Sequence, residues 1–154
     1  DYLIVDMPPG TGDIQLTLTQ KVPLAGAVIV TSPQDIALLD ARRGLKMFEK
    51  VGIPVLGIVE NMSTHVCADC GHESALFGEG GGEQLAAEAD VPLLGSLPLD
   101  LRIRQEADGG LPTVIADPDC DIAIRYRQAA LRAAARVALH PADHSGSLPG
   151  VVVE

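Results

Sequence analysis

Ala27-Val28-Ile29-Val30-Thr31-Ser32-Pro33-Gln34-Asp35 sets a short apolar run directly against a helix start, and this junction decides the fold. Ser32 can cap, Pro33 suits a first helical turn, and Asp35 can answer the Ser32 N–H, the reciprocal pattern of a capping box. Leu38, Ala41, Leu45 and Phe48 then fall on one face at helical spacing, until Gly52 and Pro54 stop the helix. Further apolar runs occur at Leu3 to Val5, Val55 to Val59 and Leu93 to Leu97, each bounded by Gly, Pro or Asp and separated by helix-like stretches. That alternation predicts βα units and hence an α/β fold, a parallel sheet flanked by helices.

A second strong helix is expected from about Asp117-Pro118-Asp119, with acids at its positive end and Arg132 and Arg136 towards its negative end. Ile122, Tyr126, Ala130, Ala133 and Val137 supply its buried stripe. After Leu139 the pattern dissolves into His140-Pro141, Ser145-Gly146-Ser147 and Pro149-Gly150, too little to bury surface. The reading is one domain over residues 1–139 and a mobile tail over 140–154.

Composition narrows the function classes. A chain of 154 residues supports one core, and with 47% hydrophobic but only 3% aromatic residues that core must be built from Val, Ile, Leu and Ala. A net charge of −10, with the arginines and lysines scattered, argues against nucleic-acid binding. No apolar run approaches the roughly 18 to 20 residues that span a bilayer, so no membrane association is expected. Three cysteines do not make a disulfide framework, which points to a reducing, cytoplasmic setting. The sequence opens on Asp1 and passes at once into an apolar run, so the start of the protein is expected to lie upstream.

Three segments bear chemistry. Asp6-Met7-Pro8-Pro9-Gly10-Thr11-Gly12-Asp13 follows the first apolar run, at the sheet edge where ligands bind in open parallel sheets. An Asp there can hold Mg²⁺ through water, and a following Gly lets a backbone N–H approach a terminal phosphate; the same residues also suit a turn that only reverses the chain. Asn61, at the end of another run, offers a donor and an acceptor to a purine edge, or serves as a strand-end turn residue. Cys67 and Cys70 form a C-x-x-C pair in a loop-like segment, a spacing used by zinc, iron-sulfur and dithiol sites alike. His65 and His72 lie near enough to join a zinc site, although surface histidines are commoner. Cys120 matches no ligand spacing and reads as a packed thiol. Gly78-Glu79-Gly80-Gly81-Gly82 lacks the Lys and hydroxyl of a phosphate cradle and reads as a turn before a helix near Glu83 to Glu88.

Taken in order, these motifs resemble the Mrp/ApbC family of iron-sulfur cluster carrier ATPases, deviant P-loop proteins related to MinD. The resemblance begins with the Asp6 to Asp13 string and continues through Thr31-Ser32-Pro33-Gln34, Gly57-Ile58-Val59-Glu60-Asn61-Met62-Ser63 and Cys67-Ala68-Asp69-Cys70-Gly71. Phe77-Gly78, Gly80-Gly81-Gly82, Pro92-Leu93-Leu94-Gly95, Leu97-Pro98-Leu99, Ile103-Arg104 and Asp108-Gly109-Gly110-Leu111-Pro112 follow. Ordered motifs over roughly residues 1 to 140 are far more specific than any one of them.

The resemblance implies a SIMIBI-type P-loop fold and ATP-dependent transfer of an iron-sulfur cluster to apo-protein recipients. It implies that Asp6 positions Mg²⁺ as the catalytic carboxylate, that Gly10 senses the γ-phosphate, and that Asn61 reads adenine beside backbone near Pro98. Cys67 and Cys70 would hold the cluster, expected as [4Fe-4S] shared across a homodimer, because two thiolates per chain supply half of four ligands. None of Lys21, Lys46 or Lys50 follows a Gly-rich loop, so the phosphate-binding half is expected upstream and this stretch alone is expected to be inactive on ATP. Two rival readings are a zinc-stabilised structural module using Cys67, Cys70 and His72, and a MinD-like positioning switch. The cysteine pair argues against the second, as does the lack of a basic amphipathic anchor.

Overall fold

A computed structural model describes residues 2–8, 12–67 and 70–139. Gly10 and the 140–154 tail lie outside the described residues. Among the described residues eleven elements follow in chain order: α1 (Asp13–Lys21), β1 (Ala27–Thr31), α2 (Asp35–Lys50), β2 (Val55–Glu60), β3 (His65–Val66), β4 (Glu73–Ser74), α3 (Gly81–Glu88), β5 (Leu93–Ser96), α4 (Leu101–Asp108), α5 (Thr113–Ala116) and α6 (Asp121–Leu139).

Three of the four apolar runs pair as a parallel sheet in the order β1-β2-β5, and β3 and β4 form a separate antiparallel pair. Alternate residues of the central strand β2 feed opposite faces. Ile58 joins Ile29, Leu38, Ala41, Met47, Phe48, Leu85 and Ala86 in a core under α2 and α3. Val59 joins Leu94, Leu97 and Ala129 in a second core under α6. The sheet is therefore covered on both faces, as an apolar, Val/Ile/Leu-rich parallel sheet requires.

Two glycines set how closely the strands and helices approach. At Gly57, with φ of 155°, a Cβ would lie 2.6 Å from both the Pro92 carbonyl oxygen and Leu94 Cγ, so β2 and β5 pack where only a hydrogen fits. Gly95 lets α6 sit down on β5, because a Cβ there would lie 3.1 Å from Ala129 Cβ.

The fourth run does not form a strand. Leu3 and Ile4 are 88% and 89% exposed, and residues 2–8 carry no regular secondary structure. A strand is held by neighbours that satisfy its N–H and C=O groups, and among the described residues none pairs with this run. Asp6 is consequently exposed and is not the terminal residue of a sheet strand, contrary to the sequence expectation.

The α2 stripe is as the spacing predicts: Leu38, Ala41 and Phe48 are buried and Leu45 packs against them. Its start is not. The N-cap is Gln34, without a side-chain cap bond, and Ser32 Oγ instead lies 3.4 Å from Gln34 Oε1, so the capping box does not form. The end is a glycine stop, with Gly52 at φ of 72° and Ile53 N–H returning to the Phe48 carbonyl at 3.0 Å.

In α6 the inward face carries Ile122, Ala123 and Ala129, while Ala130 is exposed. A step of three residues from Tyr126, not four, meets the sheet, because Gly95 leaves its space opposite Ala129. Arg132 and Arg136 do more than complement the helix dipole. Their side chains donate to the Leu94 and Leu56 carbonyls at 3.0 and 3.2 Å and tie α6 to the sheet backbone.

Candidate functional site

The site grows from the carboxyl ends of the three parallel strands. Beyond β1 and β2, Asn61 N–H donates to the Thr31 carbonyl at 2.7 Å, and Leu97 N–H donates to the Glu60 carbonyl at 2.8 Å. Ser63 returns two bonds to the Leu97 carbonyl, from its N–H and its Oγ, each at 3.0 Å. Leu99 N–H then reaches the Thr64 carbonyl at 2.7 Å. These bonds prolong the β2–β5 alignment past the strands themselves. They hold the segment that carries Asn61 beside the Leu97-Pro98 segment at the sheet edge.

Asn61 is half-buried, and its Oδ1 accepts Met62 N–H at 2.9 Å. That contact fixes which end of the amide faces the backbone, since an N–H needs an acceptor. It accompanies a left-handed Met62 with φ of 56°. The amide NH₂ remains as the donor Asn61 can offer a ligand. Pro98 is buried.

Six residues after Asn61 comes Cys67, on the arm of the β3–β4 hairpin. Cys67 N–H donates to the His72 carbonyl and Gly71 N–H donates to the Cys67 carbonyl, both at 2.9 Å, with Gly71 at φ of 70° closing the turn. Cys67 is half-buried at the base of this turn and Cys70 is exposed, and none of Cys67, Cys70 or Cys120 is in a disulfide. Among the described residues no group of three or more His, Cys, Asp or Glu converges on a metal position.

The histidines flanking the pair differ. His65 is half-buried with Nδ1 3.2 Å from the Leu99 carbonyl, which accepts only, so Nδ1 carries the proton and the ring braces the hairpin stalk. His72 is exposed. On the adjoining segment Asp100 caps α4, accepting Arg102 N–H at 2.8 Å, and its hydrogen bond with the Arg102 side chain holds its carboxyl below the usual range. Cys120 has a structural use: its Sγ accepts Ala123 N–H at 3.4 Å at the start of α6.

The glycine run 80–82 is a packing device. Gly80 takes φ of 70°, a Cβ on Gly81 would lie 2.7 Å from Leu38 Cδ1, and one on Gly82 would lie 2.8 Å from Glu60 Cβ. Sequence reasoning missed Glu60. It ends β2 only 5% exposed, and its Oε1 accepts Gly82 N–H at 2.7 Å at the N-terminus of α3. The available signal was a carboxylate closing an apolar strand.

The fold has counterparts among known proteins. Residues 1–134 match the family described as ParA, NUBPL iron-transfer P-loop NTPase. This chain belongs to that family. An iron-sulfur cluster carrier protein of Pseudomonas fragi is 65% identical over 131 residues, covering 85% of this chain and 46% of the relative. The corresponding Escherichia coli K12 protein is 58% identical over 137 residues, covering 89% of this chain and 37% of its own length. The mouse iron-sulfur cluster transfer protein NUBPL is 49% identical over 141 residues, 92% of this chain and 44% of that protein.

The chain thus spans less than half the length of these relatives. Among solved structures, an ADP-bound nucleotide-binding protein from Archaeoglobus fulgidus superposes with a TM-score of 0.66 at 37% identity, covering 79% of this chain and 49% of that one. Pyrococcus furiosus MinD gives 0.55 at 26% identity, over 70% and 41%. The family read from the ordered motifs and the P-loop NTPase fold class are both met.

Proposed function

We propose that this chain is the base-reading and cluster-holding part of an ATP-dependent iron-sulfur cluster carrier that delivers its cluster to apo-proteins. The observation that carries the reading is the position of Cys67 and Cys70. They sit on a hairpin whose stalk is hydrogen-bonded to the Leu97–Leu99 segment, which runs beside the strand end that leads into Asn61. Relatives named as cluster carriers and an ADP-bound structural neighbour support it.

In this reading the Asn61 amide donates to adenine while the buried Pro98 segment forms the wall beside the base. Asp6, an exposed hard oxygen donor, suits a water-mediated contact with Mg²⁺, and the metal supplies charge neutralisation on the transferring phosphoryl group. Gly10 is assigned to the γ-phosphate. The cluster is cargo, so its ligands need access: Cys70 at an exposed turn provides that access, and Cys67 at the base provides orientation. Two thiolates per chain suit a [4Fe-4S] cluster held by two chains about a two-fold axis. A cytoplasmic setting keeps such thiols reduced.

Metal analysis of the complete gene product purified without oxygen tests the reading against a zinc-stabilised module. Iron and acid-labile sulfide in equal amounts, lost on exposure to air, are expected. Stoichiometric zinc that survives air would overturn the assignment.

A further inference from the structure

The segment bearing the cysteine pair leaves the sheet at Glu60 and comes back to it at Gly82, 22 residues further on, and the two ends are joined by one side chain. Glu60 Oε1 takes the Gly82 N–H at 2.7 Å, while the Glu60 carbonyl holds Leu97 N–H at the carboxyl edge of the sheet. We infer that Glu60 is a positioning residue, a clasp that closes the base of the cysteine loop and fixes Cys67 and Cys70 relative to the edge carrying Asn61 and Pro98.

Several observations converge on this. A carboxylate only 5% exposed is costly to desolvate, and among the described residues no salt bridge reaches it. What it meets is the N-terminus of α3, where unpaired N–H groups and the helix dipole favour negative charge. The fit is close enough that Gly82 has no room for a Cβ, which would lie 2.8 Å from Glu60 Cβ, and Gly81 has none against Leu38. The outgoing arm of the loop is held independently, by Ser63 on Leu97 and by Thr64 and His65 on Leu99. The returning arm is held at its end by Glu60.

Without the clasp, the returning arm would be free to draw away from Glu60 and to loosen the β3–β4 pair and the Cys67–His72 turn behind it, while α3 stayed docked. Leu85 and Ala86 are buried in the core, and Arg42 forks onto Glu88 at 3.0 and 3.1 Å. The clasp therefore governs the loop and not the domain. It rests on the carrier reading only for what the loop holds.

The test uses the complete gene product free of metal, as wild type, Glu60→Ala and Glu60→Gln, with amide hydrogen exchange followed by peptide. In Glu60→Ala, amides from 62 to 82, including the bonded N–H groups of Cys67 and Gly71, should exchange faster by the order of tenfold, with β1 and α6 unchanged. Glu60→Gln keeps an acceptor for Gly82 N–H and should restore protection. After anaerobic loading, Glu60→Ala should lose its cluster to a chelator faster than wild type, and Glu60→Gln should not.

Unchanged exchange at Cys67 and Gly71 in Glu60→Ala overturns the inference. So does an equal rise in β1 and α6, or a Glu60→Gln variant as open as Glu60→Ala. A wild type that takes up no cluster overturns the carrier reading instead, and leaves the exchange result to decide the clasp.

Discussion

Replacing either Cys67 or Cys70 with Ala is expected to abolish iron retention in the anaerobically reconstituted protein while leaving the fold intact. If four thiolates come from two chains, one substitution removes two of the four, because two-fold symmetry repeats it in the partner. A cluster with two remaining ligands is not held. The hairpin should survive, since the bonds that shape it run between the main chains of Cys67, Gly71 and His72. Cys70 is exposed, so its thiol contributes little packing. Iron analysis beside circular dichroism checks both parts. Full iron content in either variant would remove the pair from the ligand set. Cys120→Ala should retain iron, because that thiol is engaged with Ala123 N–H.

Asp6→Ala is expected to lower ATP turnover of the complete gene product by about a hundredfold or more, the order lost when one charge-stabilising group leaves a transition state. The carboxylate is exposed, so its removal takes away no core packing and the melting temperature should hardly move. Asp6→Asn keeps the shape and an oxygen acceptor but not the charge, and should remain impaired. Turnover equal to wild type at saturating Mg²⁺ would show that the segment after Leu3-Ile4-Val5 is only a turn.

The parts of the fold that were legible in the sequence are those set by local periodicity. Leu38, Ala41 and Phe48 follow one another at steps of three and seven residues on one helix face, and a run such as Val55 to Val59, between Pro54 and Glu60, reads as a buried strand on its own. What was not legible depends on a partner distant in sequence. Leu3 to Val5 has strand composition, yet composition does not supply the neighbour that takes its hydrogen bonds. Ala129 and Ala130 are chemically identical, and which of them faces inward shows only in the packing of α6 on β5, where Gly95 leaves the space that Ala129 occupies.

The site divides in the same way. Cys67 and Cys70 carry a spacing readable on its own, whereas Asn61 and Pro98 enter only through the resemblance of the ordered motifs; their two segments run side by side at the sheet edge, with the cysteine stalk bonded to one of them. Glu60 offers in sequence only a carboxylate closing an apolar strand, which does not say whether that end is buried. Its burial comes from the α3 N-terminus, formed by a glycine run that in sequence looks like nothing more than a turn.

The central claim is that two chains share one cluster through Cys67 and Cys70. It is tested most directly by reconstituting the complete gene product anaerobically with iron and sulfide, then measuring mass in solution together with iron per chain. The account predicts a dimer with about four irons, two per chain, that falls to a metal-free species on chelation. A monomer carrying a full four-iron cluster would contradict it.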